Sequence, residues 1–369
     1  MFDEIIRPTA ILNETITHRN ITTIAAKAEQ SGVRFRPHVK THQSAVVGGW
    51  FREAGIEAIT VSSVQMATYF AAHGWSDITI AFSVNWREID TINALAAKID
   101  LGLLVESVST VEFLTEHLTA PVRLWLKLDT GYHRTGIAWD DAATLVQVAG
   151  AIQQSANLTL CGLLVHAGHS YLARSAEQVQ AVYDETVERL TAARDTLAQA
   201  GFAGVELSLG DTPCCAVVED FSAVDEIRPG CFVFYDMTQV QIGACQPEDL
   251  AVAVACPVVA KHPADNKIVI YGGGVHLSKD RLVREDGATS YGAIALPTAD
   301  GWTAPLADCY VAGVSQEHGI IQASASLLEQ VNIGDLVLVL PVHICMTVDL
   351  LKVCRTLSGE TIPVMGYCG

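Results

Sequence analysis

Lys40 is the residue whose chemistry the rest of the sequence has to account for. It closes an apolar, strand-like run over residues 33–40, with Arg36 and His38 alternating behind it. On a strand, side chains two apart share a face, so these three point the same way. Cationic neighbours and partial desolvation both depress an ammonium pKa, which suits an amine that acts as a nucleophile. Taken alone, a lysine is more often a solvated surface residue.

Other clusters carry chemistry only in combination. Asp129-Thr130-Gly131-Tyr132-His133-Arg134-Thr135-Gly136 follows an apolar run; Arg134 offers a planar fork for an oxyanion, and the glycines let backbone approach a ligand. His166-Ala167-Gly168-His169-Ser170-Tyr171 supplies two imidazoles and a phenol. Ser208-Leu209-Gly210-Asp211-Thr212-Pro213 and Arg228-Pro229-Gly230 are glycine-bearing loops of the kind that cradle phosphate through backbone amides. His343 and Cys345 stand two apart in an expected extended segment, so imidazole and thiolate reach one divalent ion and leave positions open for water or substrate. The plain alternative is a packed histidine beside a packed cysteine. His276, after three glycines, and His318, within Gln316-Glu317-His318-Gly319, are further polar points without an assigned role.

These residues need a scaffold, and the hydrophobic pattern describes one. A strand at residues 9–12 and a helix over 14–31 with Gly32 as its stop come first. Apolar runs then recur at 33–40, 58–62, 77–81, 101–105, 122–128, 158–165, 205–209 and 225–228, mostly separated by helical periodicity. Continuous apolar runs suit strands covered on both faces, hence a parallel sheet. Eight βα repeats predict an α/β fold with a (β/α)8 TIM-type barrel over residues 13–238, with an open doubly wound sheet as the alternative. In a barrel the site lies where strands end, which is where the polar clusters fall. After about residue 239 helical periodicity fades and runs at 251–260, 267–271, 336–340 and 349–357 predict a mainly β domain over 239–369, to which residues 1–12 add a strand.

With 369 residues, half of them hydrophobic, the chain has ample core material. A formal net charge of -18 argues against nucleic acid or an anionic membrane as partner. No basic, apolar leader and no run of spanning length is present, and ten scattered cysteines read as reduced thiols, so the expected compartment is the cytoplasm.

In order and spacing, the set from Arg36-Pro37-His38-Val39-Lys40-Thr41 through His133-Arg134-Thr135-Gly136, His166 to Tyr171, Gly210-Asp211-Thr212-Pro213 and Arg228-Pro229-Gly230 to Pro341-Val342-His343-Ile344-Cys345 resembles the D-serine dehydratase and D-threonine aldolase family. The likeness implies the alanine racemase-like barrel of fold type III pyridoxal phosphate enzymes. It implies Lys40 as the lysine in Schiff-base linkage to pyridoxal 5'-phosphate and as the base for the substrate α-proton. Arg134 would lie near the phenolic oxygen, His166 against the ring and Tyr171 near the ring nitrogen, with Gly210, Thr212, Gly230 and Tyr235 on the phosphate. His343 and Cys345 would hold a divalent metal, zinc by the same likeness, to polarise a substrate 3-hydroxyl. Cysteine at 345, where the aldolase branch has aspartate, favours dehydration of D-serine or D-threo-3-hydroxyaspartate to a keto acid and ammonia. Retro-aldol cleavage to glycine and an aldehyde is the alternative, then racemisation; a homodimer is also implied. Two stretches depart from the family pattern: Arg7-Pro8-Thr9, where the order is inverted, and residues 271–280.

Overall fold

The computed structural model describes residues 2–368, which divide into two compact units. One comprises Thr22–Lys40 and Gly49–Gly230; the other comprises residues 2–21, Thr41–Gly48 and residues 231–368.

The first unit is a parallel barrel. Its strands are Arg34–Phe35, Ala58–Val61, Asp77–Ser83, Asp100–Val105, Val122–Asp129, Leu158–Val165, Glu206–Leu209 and Glu226–Ile227; from the second onward each pairs in parallel with the next, the last pairs with the first, and the first and second are joined, among the described residues, only by a parallel bridge from His38 to Thr60. The ring closes at the segment leading to Lys40. Arg36 N and His38 N donate to Ile227 O and Pro229 O on one side, while Thr60 N donates to Pro37 O and Val39 N to Thr60 O on the other. The run therefore stays extended past Phe35 and delivers Lys40 at the end of the ladder.

Five of the helices in this unit begin on a residue suited to the task. Ser63, Ser107, Asp141, Ser175 and Asp211 are N-caps whose side-chain oxygens accept from the backbone N–H three residues on. Those bonds satisfy amides that the helix cannot, each typically worth about 1 kcal/mol. The helix Glu14–Ser31 ends against Gly32 at φ +68°, a conformation that favours glycine.

One expectation needs correcting here. Arg36 does not serve as a cationic neighbour for Lys40: its guanidinium is buried and bonded to Glu226 (2.7 Å) and Asp77 (2.6 Å). Four residues of strand, roughly 13 Å, separate the two positions, and the two carboxylates neutralise its charge.

The second unit contains six strands that close on themselves: Lys267–Tyr271, His318–Gln322, Tyr310–Val314, Gly292–Ala295, Leu336–Pro341 and Val252–His262, the last pairing back with the first. Val254, Ile268, Ile270, Ile294, Ile321 and Val339 fill its interior. Beyond Val252–His262 the sheet continues through Thr9–Leu12, Val353–Thr356 and Thr361–Pro363. The strand expected over 349–357 begins only at Val353. Before it runs a helix, Ile344–Leu351, because Ile344, Thr347 and Val348 bury one face at helical spacing; Lys352 at φ +60° ends it. Among the described residues, no helix is long and apolar enough to cross a membrane.

Candidate active site

At the barrel end where strands finish, the aromatic and cationic groups gather. His166 follows Leu158–Val165 and its Nδ1 lies 2.6 Å from Gly210 O. A carbonyl only accepts, so Nδ1 carries the hydrogen and Nε2 keeps its lone pair. Burial, then the charge of Lys40, holds this imidazole neutral, its pKa well below the ordinary value. Tyr132 stands edge-on to it at 5.7 Å, Tyr171 is tilted at 6.1 Å, and the Arg134 guanidinium lies 5.0 Å from the Tyr132 ring. Gly168 makes room for this arrangement: a Cβ there would sit 2.4 Å from Tyr132 Cε1.

The Arg134 loop is fastened by a residue outside the expected site set. Glu106 accepts from Ser83 Oγ (2.7 Å), from Thr135 Oγ1 (2.8 Å) and from Gly136 N (2.5 Å). Burial works to raise its pKa, but these bonds outweigh it and hold the carboxyl below its usual range. Asp129 secures the other half, accepting from Gly131 N (2.9 Å) and His133 N (3.0 Å).

Next to these lies a surplus of positive charge. Lys127 is buried on the strand that leads to the loop, its Nζ 2.8 Å from Leu128 O. Burial, with Arg228 and Arg134 adding repulsion, pushes its pKa down to about 7. Arg228, also buried, donates to Ser208 Oγ and Val165 O at 2.6 Å each; burial lowers its pKa to about 10. Gly210 permits that packing, since a Cβ would lie 2.9 Å from Arg228 Cβ. Asp211 caps its helix through Oδ1, yet its buried Oδ2 has no partner, and burial raises its pKa. Thr212 and Gly230 are buried in the same unit. Buried cations that repel one another are a cradle wanting an anion, and pyridoxal phosphate brings a phosphate, so the donor set fits that cofactor. Lys127 and Tyr132 were missed as site residues. A lysine in the middle of the apolar run 122–128 was the available signal for the first.

Tyr235 belongs to the other unit. It is buried at φ +48°, with its N–H bonded to Cys231 O at 2.7 Å. A non-glycine residue in that region is strained, so its surroundings over-determine its position.

His343 and Cys345 lie together, though not on an extended segment as expected. His343 is the N-cap of Ile344–Leu351 and Cys345 sits in the helix's first turn. The helix starts here because buried Asp236 accepts from Ile344 N at 3.1 Å. The Cys345 thiol acts on the His343 imidazole from the same turn, and Cys345 Sγ is 3.1 Å from Thr41 Oγ1. Cys231 contacts Cys345 and bonds Asp236 Oδ2 at 3.1 Å. Asp280 Oδ2 lies 2.5 Å from His343 Nδ1. Burial opposes a charged imidazole, but Cys345, Asp236 and Asp280 outweigh it and push the pKa of His343 up to about 9. Burial and Cys345 push Asp236 up to about 6. One imidazole nitrogen and one thiolate suit a borderline divalent ion such as zinc. Among the described residues no set of three His, Cys, Asp or Glu converges as a ready-made metal cage. His276 pairs with Glu317 (3.6 Å), and His318 is exposed at the start of its strand.

Comparison with known proteins gives consistent matches. Residues 14–237 match the family model described as alanine racemase, N-terminal domain, and residues 251–356 match a D-serine dehydratase domain. D-threo-3-hydroxyaspartate dehydratase from Delftia sp. is 30% identical over 350 residues, covering 92% of this chain and 91% of that protein. D-serine dehydratase from Dictyostelium discoideum is 24% identical, covering 92% and 90%. The solved Delftia enzyme superposes with a TM-score of 0.90 at 27% identity over 99% of both chains, and a cysteine-to-alanine mutant of it has been solved in a metal-free form.

Proposed function

The chain belongs to the D-serine dehydratase and D-threonine aldolase family, whose members carry an alanine racemase-type N-terminal domain, and on that premise we propose that it is a pyridoxal phosphate- and metal-dependent lyase. Its reaction is dehydration of a D-3-hydroxy amino acid, D-threo-3-hydroxyaspartate or D-serine, to a keto acid and ammonia. The observation that carries this reading is the imidazole of His343 beside the thiol of Cys345 at the head of one helix. A racemase or a simple cofactor carrier has no use for such a pair, whereas loss of a 3-hydroxyl benefits from a Lewis acid.

When bound, pyridoxal phosphate supplies the electron sink that labilises bonds at the substrate's α-carbon, and the metal supplies electrophilic help at the 3-hydroxyl. In this assignment Lys40 anchors the cofactor and its Nζ moves the α-proton. Arg134, on the loop that Glu106 fastens, would serve the phenolic oxygen. His166, kept neutral by burial and by Lys40, would pack against the ring without adding charge, and Tyr171, tilted beside it, would offer a phenol to the ring nitrogen. Gly210, Thr212, Gly230 and Tyr235 hold the phosphate. His343 and Cys345 hold the metal, for which zinc is the ion of choice.

Incubation with D-serine, D-threonine and D-threo-3-hydroxyaspartate, with the products identified, tests the reaction. Keto acid and ammonia are expected; glycine with an aldehyde would replace the dehydratase by the aldolase, and the mirror-image amino acid alone would make the protein a racemase. The ten cysteines are all free, which supports a reducing cytoplasmic location. A homodimer completes the proposal, with sedimentation as its check.

A further inference from the structure

We propose that Asp280 is a positioning residue for the metal, acting through His343; the inference rests on His343 and Cys345 being the ligands. Asp280 Oδ2 and His343 Nδ1 are 2.5 Å apart, although 63 residues separate them in the chain. A carboxylate on one ring nitrogen fixes the tautomer, sets the ring's rotation and leaves Nε2 as the ligating lone pair. As N-cap, the His343 ring accepts no bond from a backbone N–H of its helix, so it is not used to cap it.

The segment that presents Asp280 is built for a defined conformation. Ser278 is held at φ +68°, where a non-glycine residue is strained, and it is buried. Its hydroxyl accepts from Asp280 N at 3.2 Å, so the strained turn fixes the backbone from which the carboxylate reaches His343. This turn lies at the end of residues 271–280, one of the two stretches that depart from the family pattern. The pair contributes little to stability: the two side chains are 42% and 52% exposed, and ion pairs that open to water are weak. Its value lies in orientation.

The test measures metal affinity rather than turnover. The purified holoenzyme is stripped with a chelator and titrated with Zn²⁺ against a competing indicator, and with Co²⁺ while the thiolate charge-transfer band is recorded. Asp280→Ala should bind Zn²⁺ about 10- to 100-fold more weakly than wild type, and Asp280→Asn, which keeps an acceptor oxygen, should fall between them. The cobalt band should persist in both variants, because Cys345 and His343 still ligate, and Tm should be unchanged. Unaltered Zn²⁺ affinity in Asp280→Ala reduces the contact to a surface ion pair and overturns the inference. A loss as complete as that of His343→Ala also overturns it, by making Asp280 a ligand. If His343→Ala and Cys345→Ala themselves bind Zn²⁺ as tightly as wild type, the metal assignment fails instead, and the inference with it.

Discussion

The two ends of the barrel treat charge in opposite ways. Where strands begin, every guanidinium meets a carboxylate: Arg34 pairs with Glu206, Arg36 with Glu226 and Asp77, and Arg123 with Asp77 and Asp100. Arg36 holds its proton more tightly than usual, since Glu226 and Asp77 outweigh the cost of burial, and Arg36 in turn holds the buried Glu226 below the carboxylate range. Where strands end, Arg228 and Arg134 repel Lys127, whose pKa burial drives down to about 7, and Arg228 keeps only a long 4.0 Å approach to Glu226. A closed ledger of charge at one end and an open one at the other is how a barrel separates stability from chemistry. An acidic protein thereby keeps a small positive pocket for an anion.

Substitutions at the two ends should therefore fail differently. The largest effect belongs to Lys40→Ala: turnover should drop by roughly a thousandfold or more, and the visible absorption of the protein-bound cofactor should vanish while Tm stays put. A band that survives the change removes Lys40 from its role. Glu226→Gln comes next, because it strands Arg36 without its buried partner; urea unfolding should show a loss of about 3–5 kcal/mol, and the folded fraction should still take up cofactor. Lys127→Met should do the reverse, leaving stability unchanged or raising it by about 1 kcal/mol, since a strained functional group is removed, while weakening cofactor binding in a fluorescence titration. If Lys127→Met costs as much stability as Glu226→Gln, the contrast between the ends is wrong.

The smallest effect is a separation in pH. His166 has a folded pKa below its ordinary 6.5, so the unfolded apoprotein takes up that proton first and stability declines as pH falls below about 6.5. Glu226 also has a lowered pKa, from 4.5, so its contribution is lost only as pH falls below about 4.5. Urea midpoints measured against pH should show both windows, with His166 and Glu226 each contributing a slope of at most about 1.4 kcal/mol per pH unit. His166→Asn should make the upper window shallower, the remainder belonging to buried His42, and Glu226→Gln should do the same to the lower; a substitution that alters both windows equally would contradict the assignment.

How far these features were legible depended on whether their cause was local. The eight barrel runs and the stop at Gly32 follow from periodicity and backbone preference, so the sequence pattern carried them. Lys40, Arg134 and His166 were singled out because strand ends mark the working end of a barrel, and Arg134, His166 and Tyr171 do lie around one aromatic cluster. Arg36 was misread because its partner Glu226 is 190 residues away, and no local pattern announces a pairing across the barrel. Glu106 stood in the sequence as the residue closing a strand, but its bonds to Thr135 and Gly136 arise only on folding. His343 and Cys345 were read as strand neighbours because the apolar run before them is a strand; the buried acceptor Asp236 that starts a helix there is more than a hundred positions earlier.

The strand Thr9–Leu12 carries a consequence for how the chain is made. Its two neighbours in the sheet are Val252–His262 and Val353–Thr356, with Ile11 opposite Ala253 on one side and Arg355 on the other. At a ribosomal rate of about 5–20 residues per second, a strand made first waits tens of seconds for the partners that cover it. Through that interval the Ala10, Ile11 and Leu12 side chains, fully buried in the finished protein, are open to any sheet edge or chaperone nearby. The first dozen residues are thus the nascent chain's exposed liability, and emergence of its last strands ends it.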